Sequence, residues 1–233
     1  MACHVVRGPA GGPAECVTFG DVVSRGVDAA IVEACAGAVG ASLGSRLSPV
    51  QAAVFSLGFD EDVVAVSPTG SGKTVAFLLP AVHACHRARK GAPLADLAAV
   101  LCVVLSPTRE LAAQTAEVAR VACVGARVSA RAVVGGEHYE TQRRSLVDAV
   151  PSLISATPGR LAALCADGAL SLTSVVFVAL DECDRLLGPE FEGETAAALA
   201  TVPRSARRSL LSHTYEGASM GLETLEWLSD HPV

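Results

Sequence analysis

Thr69-Gly70-Ser71-Gly72-Lys73-Thr74 is the stretch of this 233-residue sequence that says most about its fold. Its small residues let the backbone curl until several N–H groups point inward, and a helix that follows adds the positive end of its dipole. The Lys73 ammonium would then reach the β- and γ-phosphates of a nucleoside triphosphate, and the Thr74 hydroxyl would ligate Mg²⁺. The only other lysine of the chain is Lys90. Taken alone, the six residues also fit a Gly/Ser turn before a helix.

The flanking residues predict that this loop connects a strand to a helix. Asp62–Val66 is a short apolar run, and Thr74–Ala88 has the pattern of a helix. Strands that alternate with helices predict an α/β fold, in which helices cover both faces of a mostly parallel, twisted sheet. Further strands are expected at Ala98–Leu105, Arg127–Val134, Pro151–Ala156, Val175–Leu180 and Ser209–Ser212, and further helices at Arg109–Val121, Leu161–Ala166 and Leu222–Leu228.

An acidic tetrapeptide, Asp181-Glu182-Cys183-Asp184, follows the apolar run Val175–Leu180. Ligands of parallel α/β sheets bind at the carboxyl ends of the strands, so these carboxylates and the phosphate-binding loop are expected at one edge. Carboxylates are suitable ligands for Mg²⁺. The alternative interpretation is an acidic helix N-terminus capped by Asp181.

Composition restricts the class of protein further. The length and the 51% of hydrophobic residues suit one α/β domain, and the net charge of −6 restricts any nucleic-acid contact to a local patch. The sequence contains no long uncharged apolar run, so no membrane span is predicted. The eight cysteines show no C-x-x-C pair, which favours reduced thiols in an intracellular compartment, whether nucleus, cytoplasm or an organelle. Residues 1–18 are expected to be a flexible leader before a domain at 19–233.

Some suggestive groups of residues have simpler interpretations. His83, Cys85 and His86 are too close along one helix to converge on a metal ion. The pairs Arg143-Arg144 and Arg207-Arg208 are interpreted as solvated surface charge.

The order of short sequence blocks resembles the first RecA-like domain of the DEAD-box RNA helicases, from about Phe19 onward. Pro107-Thr108-Arg109-Glu110-Leu111-Ala112 matches the family's motif Ia, and Ser48-Pro49-Val50-Gln51 resembles the end of its adenine-reading motif. Asp181–Asp184 is similar to the acidic motif that names the family, with Cys183 in place of Ala. Further matches are Gly135-Gly136, Thr157-Pro158-Gly159-Arg160 and Ser212-His213-Thr214, the last in place of the family's Ser-Ala-Thr.

The resemblance implies a P-loop ATPase that binds ATP with Mg²⁺ and couples its hydrolysis to RNA remodelling. The implied catalytic residues are Lys73, Asp181 and Glu182. Those implied to bind the nucleotide are Gln51, Thr69, Gly70, Ser71, Gly72, Lys73 and Thr74, with Thr74 and Asp181 on Mg²⁺. Those implied to bind the backbone of single-stranded or structured RNA are Pro107, Thr108, Arg109, Gly135, Gly136, Thr157, Pro158, Gly159 and Arg160. The residues implied to couple nucleotide and RNA binding are Asp184, Ser212 and Thr214.

Simpler explanations of two of these residues stay open. Ser48 and Pro49 also form a good helix start that would place Gln51 on an ordinary helix face, and Thr108 would cap a helix whose first turn contains Glu110.

Two positions depart from the family pattern. Gly44 stands where an aromatic residue is expected beside the adenine, and His213 replaces a small residue in the coupling segment. Because the family has a second RecA-like domain that contributes arginine fingers, this domain alone is expected to hydrolyse ATP weakly unless a second domain or a protein activator assists it. The alternative is a truncated or degenerate helicase-like domain that serves as a nucleotide-, RNA- or protein-binding module. A DNA helicase or an unrelated P-loop ATPase is disfavoured by the unchanged motif Ia.

Overall fold

The described residues form a single sheet with helices on both faces. The computed structural model describes residues 4–5, 16–90 and 98–214, so the helix expected at Leu222–Leu228 lies outside them. The strands are β1 (His4–Val5), β2 (Val63–Val66), β3 (Cys102–Leu105), β4 (Ala130–Val133), β5 (Leu153–Ala156), β6 (Phe177–Asp181) and β7 (Arg207–Ser212). Their order in the sheet is β1-β2-β7-β6-β3-β5-β4, with β1 antiparallel to β2 and all other neighbours parallel.

From β2 onward the helices follow the strands in the expected alternation, whereas three of the described helices lie between β1 and β2. They are α1 (Phe19–Ser24), α2 (Ala29–Gly37), α3 (Pro49–Leu57), α4 (Lys73–Arg89), α5 (Arg109–Val124), α6 (Tyr139–Asp148), α7 (Pro158–Ala166), α8 (Cys183–Leu186) and α9 (Glu192–Leu199). None of the helices among the described residues is long and apolar enough to cross a membrane.

Two hydrophobic clusters, one on each face of the sheet, make the fold a three-layer sandwich. Val63 and Ala65 of β2 point into the cluster that α1 to α5 cover, whereas Val64 and Val66 point into the cluster that α6 to α9 cover. Successive strand residues alternate between faces, and a parallel strand covered on both faces needs apolar residues throughout. The all-buried Val63–Val66 run fits that requirement. The predicted α/β/α architecture with a mostly parallel sheet is confirmed.

The observed boundaries correct several predicted ones. The strand expected at Arg127–Val134 is shorter because Arg127 has a φ of 53° in the turn that ends α5, so β4 begins only at Ala130. Of the run Ala98–Leu105, only Cys102–Leu105 pairs in the sheet.

The prediction that Arg207 and Arg208 are solvated surface charge is wrong. Both lie on β7, where Arg208 is only 9% exposed. Arg207 Nε donates to the carbonyl of Glu61 at 2.6 Å, and its guanidinium lies 5.1 Å from the centre of the Phe177 ring. Burial lowers the pKa of Arg207 to about 10, with the nearby Asp60 opposing the shift. A strand in the middle of the sheet therefore starts with arginines that are largely covered by protein.

Candidate functional site

The loop between β2 and α4 has the backbone that the sequence predicts for a phosphate-binding loop. Gly70 and Gly72 have φ angles of 72° and 93°, in the left-handed region that favours glycine. A Cβ atom at Gly72 would lie 2.6 Å from Gln51 Nε2 and 2.9 Å from Ser48 Oγ. Gly72 is therefore required both by its backbone conformation and by the close packing of α3.

Lys73, the first residue of α4, folds its side chain back over this loop. Its Nζ donates to the carbonyl oxygens of Ser67 at 2.6 Å and Pro68 at 3.0 Å. The Ser67 hydroxyl in turn donates to that of Ser71. The ammonium group thus lies inside the curl of the loop, where a bound phosphate would also be expected.

Gln51 makes two structural contacts, one of which is the helix-start role that the sequence offered as the simpler explanation. On α3 its Oε1 accepts from the backbone N–H of Ser48 at 3.0 Å, which completes a capping box. Its Nε2 donates to the carbonyl of Gly72 at 3.1 Å. The same side chain therefore stabilises the start of a helix and fixes the phosphate-binding loop.

The acidic tetrapeptide lies at the end of β6, on the same edge of the sheet. Asp181 is 4% exposed, and its Oδ1 accepts from the backbone N–H of Glu182 at 3.1 Å. Burial raises the pKa of Asp181 to about 6, although the positive charge of Lys73 opposes the shift. Glu182 has a φ of 54° and pairs with Arg185 at 3.1 Å.

Asp184 connects the acidic tetrapeptide to the end of β7. Its Oδ1 accepts from the Ser212 hydroxyl at 3.0 Å, and its Oδ2 lies 3.4 Å from His213 Nδ1. Thr214 N donates to the same Ser212 hydroxyl at 3.1 Å. The structure brings together the three residues that the sequence assigns to coupling, and it adds His213 to them.

A cleft of about 330 Å³ gathers most of the residues that the sequence assigns to RNA. It is lined by Pro107, Arg109, Gly135, Thr157, Pro158, Gly159, Arg160, Phe191 and Glu194. Except for Phe191 and Glu194, which belong to the start of α9, these residues follow β3, β4 and β5 or begin the next helices, so the parallel sheet places them at one edge. Phe191 and Glu194 were not identified from the sequence, because they lie beyond the matched blocks and approach the cleft only through folding.

Arg109 occupies the space beside the paired glycines. A Cβ atom at Gly135 would lie 3.2 Å from its guanidinium, and one at Gly136 would lie 2.8 Å from it. Glycine at these two positions therefore leaves room for Arg109 to approach the backbone. Gly159 is equally close to another side chain, since its Cβ would lie 2.7 Å from a carboxylate oxygen of Glu194.

The two threonines differ in how they contact their helices. Thr108 caps α5, because its hydroxyl accepts from Leu111 N at 3.2 Å, which confirms the simpler explanation of that residue. Thr157 is the N-cap residue of α7 but makes no side-chain capping bond.

A sequence-family model describes the residues that carry most of this site. The model for the DEAD/DEAH box helicase matches residues 48–220. This chain belongs to the DEAD/DEAH box helicase family. The matched range includes Gln51, the phosphate-binding loop, the acidic tetrapeptide and all residues of the cleft.

Individual proteins support this membership. The ATP-dependent RNA helicase DBP3 of Gibberella zeae is 38% identical over 169 residues, which are 72% of this chain and 28% of that protein. DEAD-box ATP-dependent RNA helicase 5 of Oryza sativa is 35% identical over 195 residues, 81% of this chain and 36% of that protein. This DEAD/DEAH box chain therefore spans only about a third of the length of these relatives.

A solved structure supports the fold. The DEAD-box helicase Mss116, bound to ssRNA and UDP-BeF, superposes with a TM-score of 0.75 at 25% identity, over 93% of this chain and 44% of that one. The RecA-like fold expected from the sequence of this DEAD/DEAH box protein is confirmed.

Proposed function

We propose that this chain is the ATP-binding, first RecA-like domain of an ATP-dependent RNA helicase, with the domain at 19–233 and residues 1–18 as a leader whose strand β1 pairs with β2 at the edge of the sheet. The supporting observation is that one edge of one sheet holds the phosphate-binding loop, the acidic tetrapeptide and the arginine-lined cleft. Relatives named as ATP-dependent RNA helicases are 38% and 35% identical to this chain over 169 and 195 residues. A second RecA-like domain or a protein activator would complete the enzyme.

In this proposal the loop residues Thr69 to Thr74 bind the triphosphate. Lys73 exchanges its carbonyl partners on Ser67 and Pro68 for phosphate oxygens, which carry full negative charge. The backbone N–H groups and the start of α4 supply the remaining attraction. Gln51 binds the adenine edge, because an amide both donates and accepts. Its bond to the Gly72 carbonyl holds the adenine-binding side chain at a fixed position relative to the phosphate-binding loop.

The donor set also suits a magnesium ion. Thr74 and Asp181 offer hard oxygen ligands, which Mg²⁺ prefers. The Asp181 carboxylate would gain stability from a bound cation, since burial and the neighbouring acidic residues Glu182 and Asp184 raise its pKa. Bound Mg²⁺ would neutralise charge that develops on the transferred phosphoryl group. Glu182 would orient and polarise the attacking water. Asp184, Ser212 and Thr214 would transmit the state of this site along β6 and β7.

The cleft is suited to the RNA backbone rather than to base edges. Arg109 and Arg160 supply charge for phosphates, while threonine hydroxyls and glycine backbone allow close contact with phosphates and 2′-hydroxyls. The remaining members of this proposed surface are Pro107, Thr108, Gly135, Gly136, Thr157, Pro158 and Gly159. Binding of a single strand without sequence preference follows from such contacts.

The test of the nucleotide site compares the two lysines of the chain. Lys73→Ala should weaken binding of ATP with Mg²⁺ at least tenfold in titration calorimetry, because it removes the charge inside the loop. Lys90→Ala, at the other end of α4, removes the same charge far from the loop and should bind as the wild type does. Unchanged binding by Lys73→Ala would refute the proposal.

A further inference from the structure

Residues of α6 and of the loop before it hold the Arg160 guanidinium in place. Its NH1 donates to Gln142 Oε1 at 2.9 Å, and its NH2 donates to the carbonyl of Glu137 at 3.2 Å. The guanidinium carbon lies 5.4 Å from the centre of the Tyr139 ring. A planar cation that is stacked and bonded in this way has little freedom to rotate.

Gln142 is the most buried member of this group, with 4% of its surface exposed. While its Oε1 accepts from Arg160, its Nε2 donates to the carbonyl of Val134 at 3.3 Å and to Glu137 Oε2 at 2.8 Å. Val134 directly precedes Gly135. One buried amide therefore joins the segment that leads into Gly135-Gly136 to an arginine in the first turn of α7. Only a group that both donates and accepts can do this.

We infer that Gln142 is a positioning residue for the RNA cleft: it fixes Arg160 relative to the Gly135-Gly136 loop. The inference rests on the proposed function, since it concerns how that same cleft holds a single strand. Arg160 has five N–H donors, and Gln142 and Glu137 accept from two of them. The other donors can meet phosphate oxygens while the guanidinium stays in place, so little rotamer entropy is lost when RNA binds.

The experiment measures RNA binding by the full 233-residue chain. A fluorescein-labelled single-stranded oligouridylate is titrated in fluorescence anisotropy at low salt. Gln142→Met keeps the length and apolar packing of the side chain but removes both ends of the amide. We expect about tenfold weaker binding. Thr141→Leu, an exposed neighbour on α6, should bind as the wild type does.

A double-mutant cycle separates positioning of Arg160 from a general structural role. If Gln142 acts through Arg160, Gln142→Met should cause no further loss of RNA affinity in an Arg160→Ala background. Each of the two single variants should also reduce the slope of log affinity against log salt by about one phosphate contact. A residue that only stabilises the fold would lower the RNA affinity in the Arg160→Ala background as well. It would also leave the slope of log affinity against log salt unchanged.

The possible outcomes distinguish the inference from the proposed function. If Arg160→Ala weakens RNA binding but Gln142→Met does not, the inference is wrong and the proposed function stands. If both variants weaken binding additively, the inference is also wrong. If the wild type binds no RNA, the RNA part of the proposed function fails and the inference fails with it. Should circular dichroism show Gln142→Met to be unfolded, Gln142→Leu takes its place in the same cycle.

Discussion

Gly72 is the residue where the phosphate-binding loop tolerates a side chain least. Its φ of 93° strains any L-residue, and its Cβ would meet Gln51 Nε2 and Ser48 Oγ below 3 Å. Gly72→Ala should therefore lower the free energy of unfolding by roughly 2–4 kcal/mol, because backbone strain and steric overlap add. Urea denaturation measures this loss.

Gly70 provides the matched comparison for that prediction. Its φ of 72° is also left-handed, but among the described residues no atom beyond its two chain neighbours lies within 4 Å of where its Cβ would be. Gly70→Ala should cost only the backbone strain, about 1–2 kcal/mol. Equal losses for the two variants would contradict the argument that packing against α3 makes Gly72 special.

The half-buried side chain of His83 should make the free energy of unfolding depend on pH. Burial lowers its pKa to about 4, and the neighbouring Arg87 and His86 side chains contribute to the shift. An unfolded chain binds a proton on this histidine below about pH 6.5, whereas the folded chain does not until about pH 4. Protons therefore favour unfolding in the window between 6.5 and 4, and stability that is present at pH 7 is lost as the pH falls.

Comparison with a variant isolates the histidine from other titrating groups. His83→Phe keeps a ring beside Phe59, whose centre lies 5.4 Å from that of His83, but it cannot titrate. Between pH 7 and pH 5 the wild type should lose roughly 2 kcal/mol more unfolding free energy than the variant. Parallel losses in urea denaturation at the two pH values would show that His83 is not responsible.

At the scale of the element, α3 is connected to the phosphate-binding loop by Gln51. Gln51→Glu keeps an acceptor for the Ser48 N–H but loses the donor to the Gly72 carbonyl. We expect stability within about 1 kcal/mol of the wild type and about tenfold weaker ATP binding. Gln51→Ala loses both bonds and should reduce stability and affinity together. Calorimetry and urea denaturation of the two variants test this, and wild-type ATP affinity in Gln51→Glu would leave Gln51 with a capping role only.

The elements that could be predicted from sequence are those in which local pattern and tertiary context agree. The apolar run of β2, the glycines after it and the start of α4 each have a local physical cause, so strand, loop and helix follow from the sequence. Arg208 shows the limit, because a charged residue predicts solvent exposure. On β7 its backbone N–H instead donates to Asp62 Oδ1 at 2.6 Å, a contact between residues distant in sequence that no local pattern contains.

The candidate site shows the same limit. The cleft residues that begin helices after strands were predicted because the edge of a parallel sheet collects them. Gln142 was not predicted, because its role depends on two neighbours that only folding brings close. They are Val134, just after β4, and Arg160 on α7. A glutamine on an amphipathic helix has no local feature that indicates a buried amide with partners on two elements.

The whole molecule is predicted to protect its thiols unequally. Six of the seven cysteines among the described residues are buried, whereas Cys165 on α7 is half-buried. Burial raises the pKa of Cys35 and of Cys183 to about 12 each and that of Cys123 further. Because the thiolate is the reactive form, buried thiols should react only when the surrounding layer opens.

Alkylation of the native chain with iodoacetamide at pH 8 tests this protection. Among the described cysteines, peptide mass spectrometry should find Cys165 modified first and Cys35 and Cys123 only slowly, with equal rates for all of them in urea. Cys165→Ser should remove the fast site and leave the others protected. Cys35 and Cys123 contribute to the core on the face that α1 to α5 cover. Fast native labelling of Cys35 and Cys123 would therefore contradict the prediction and show that the α1 to α5 layer separates from the sheet. Such opening would also disturb the phosphate-binding loop, which this layer supports through α3 and α4.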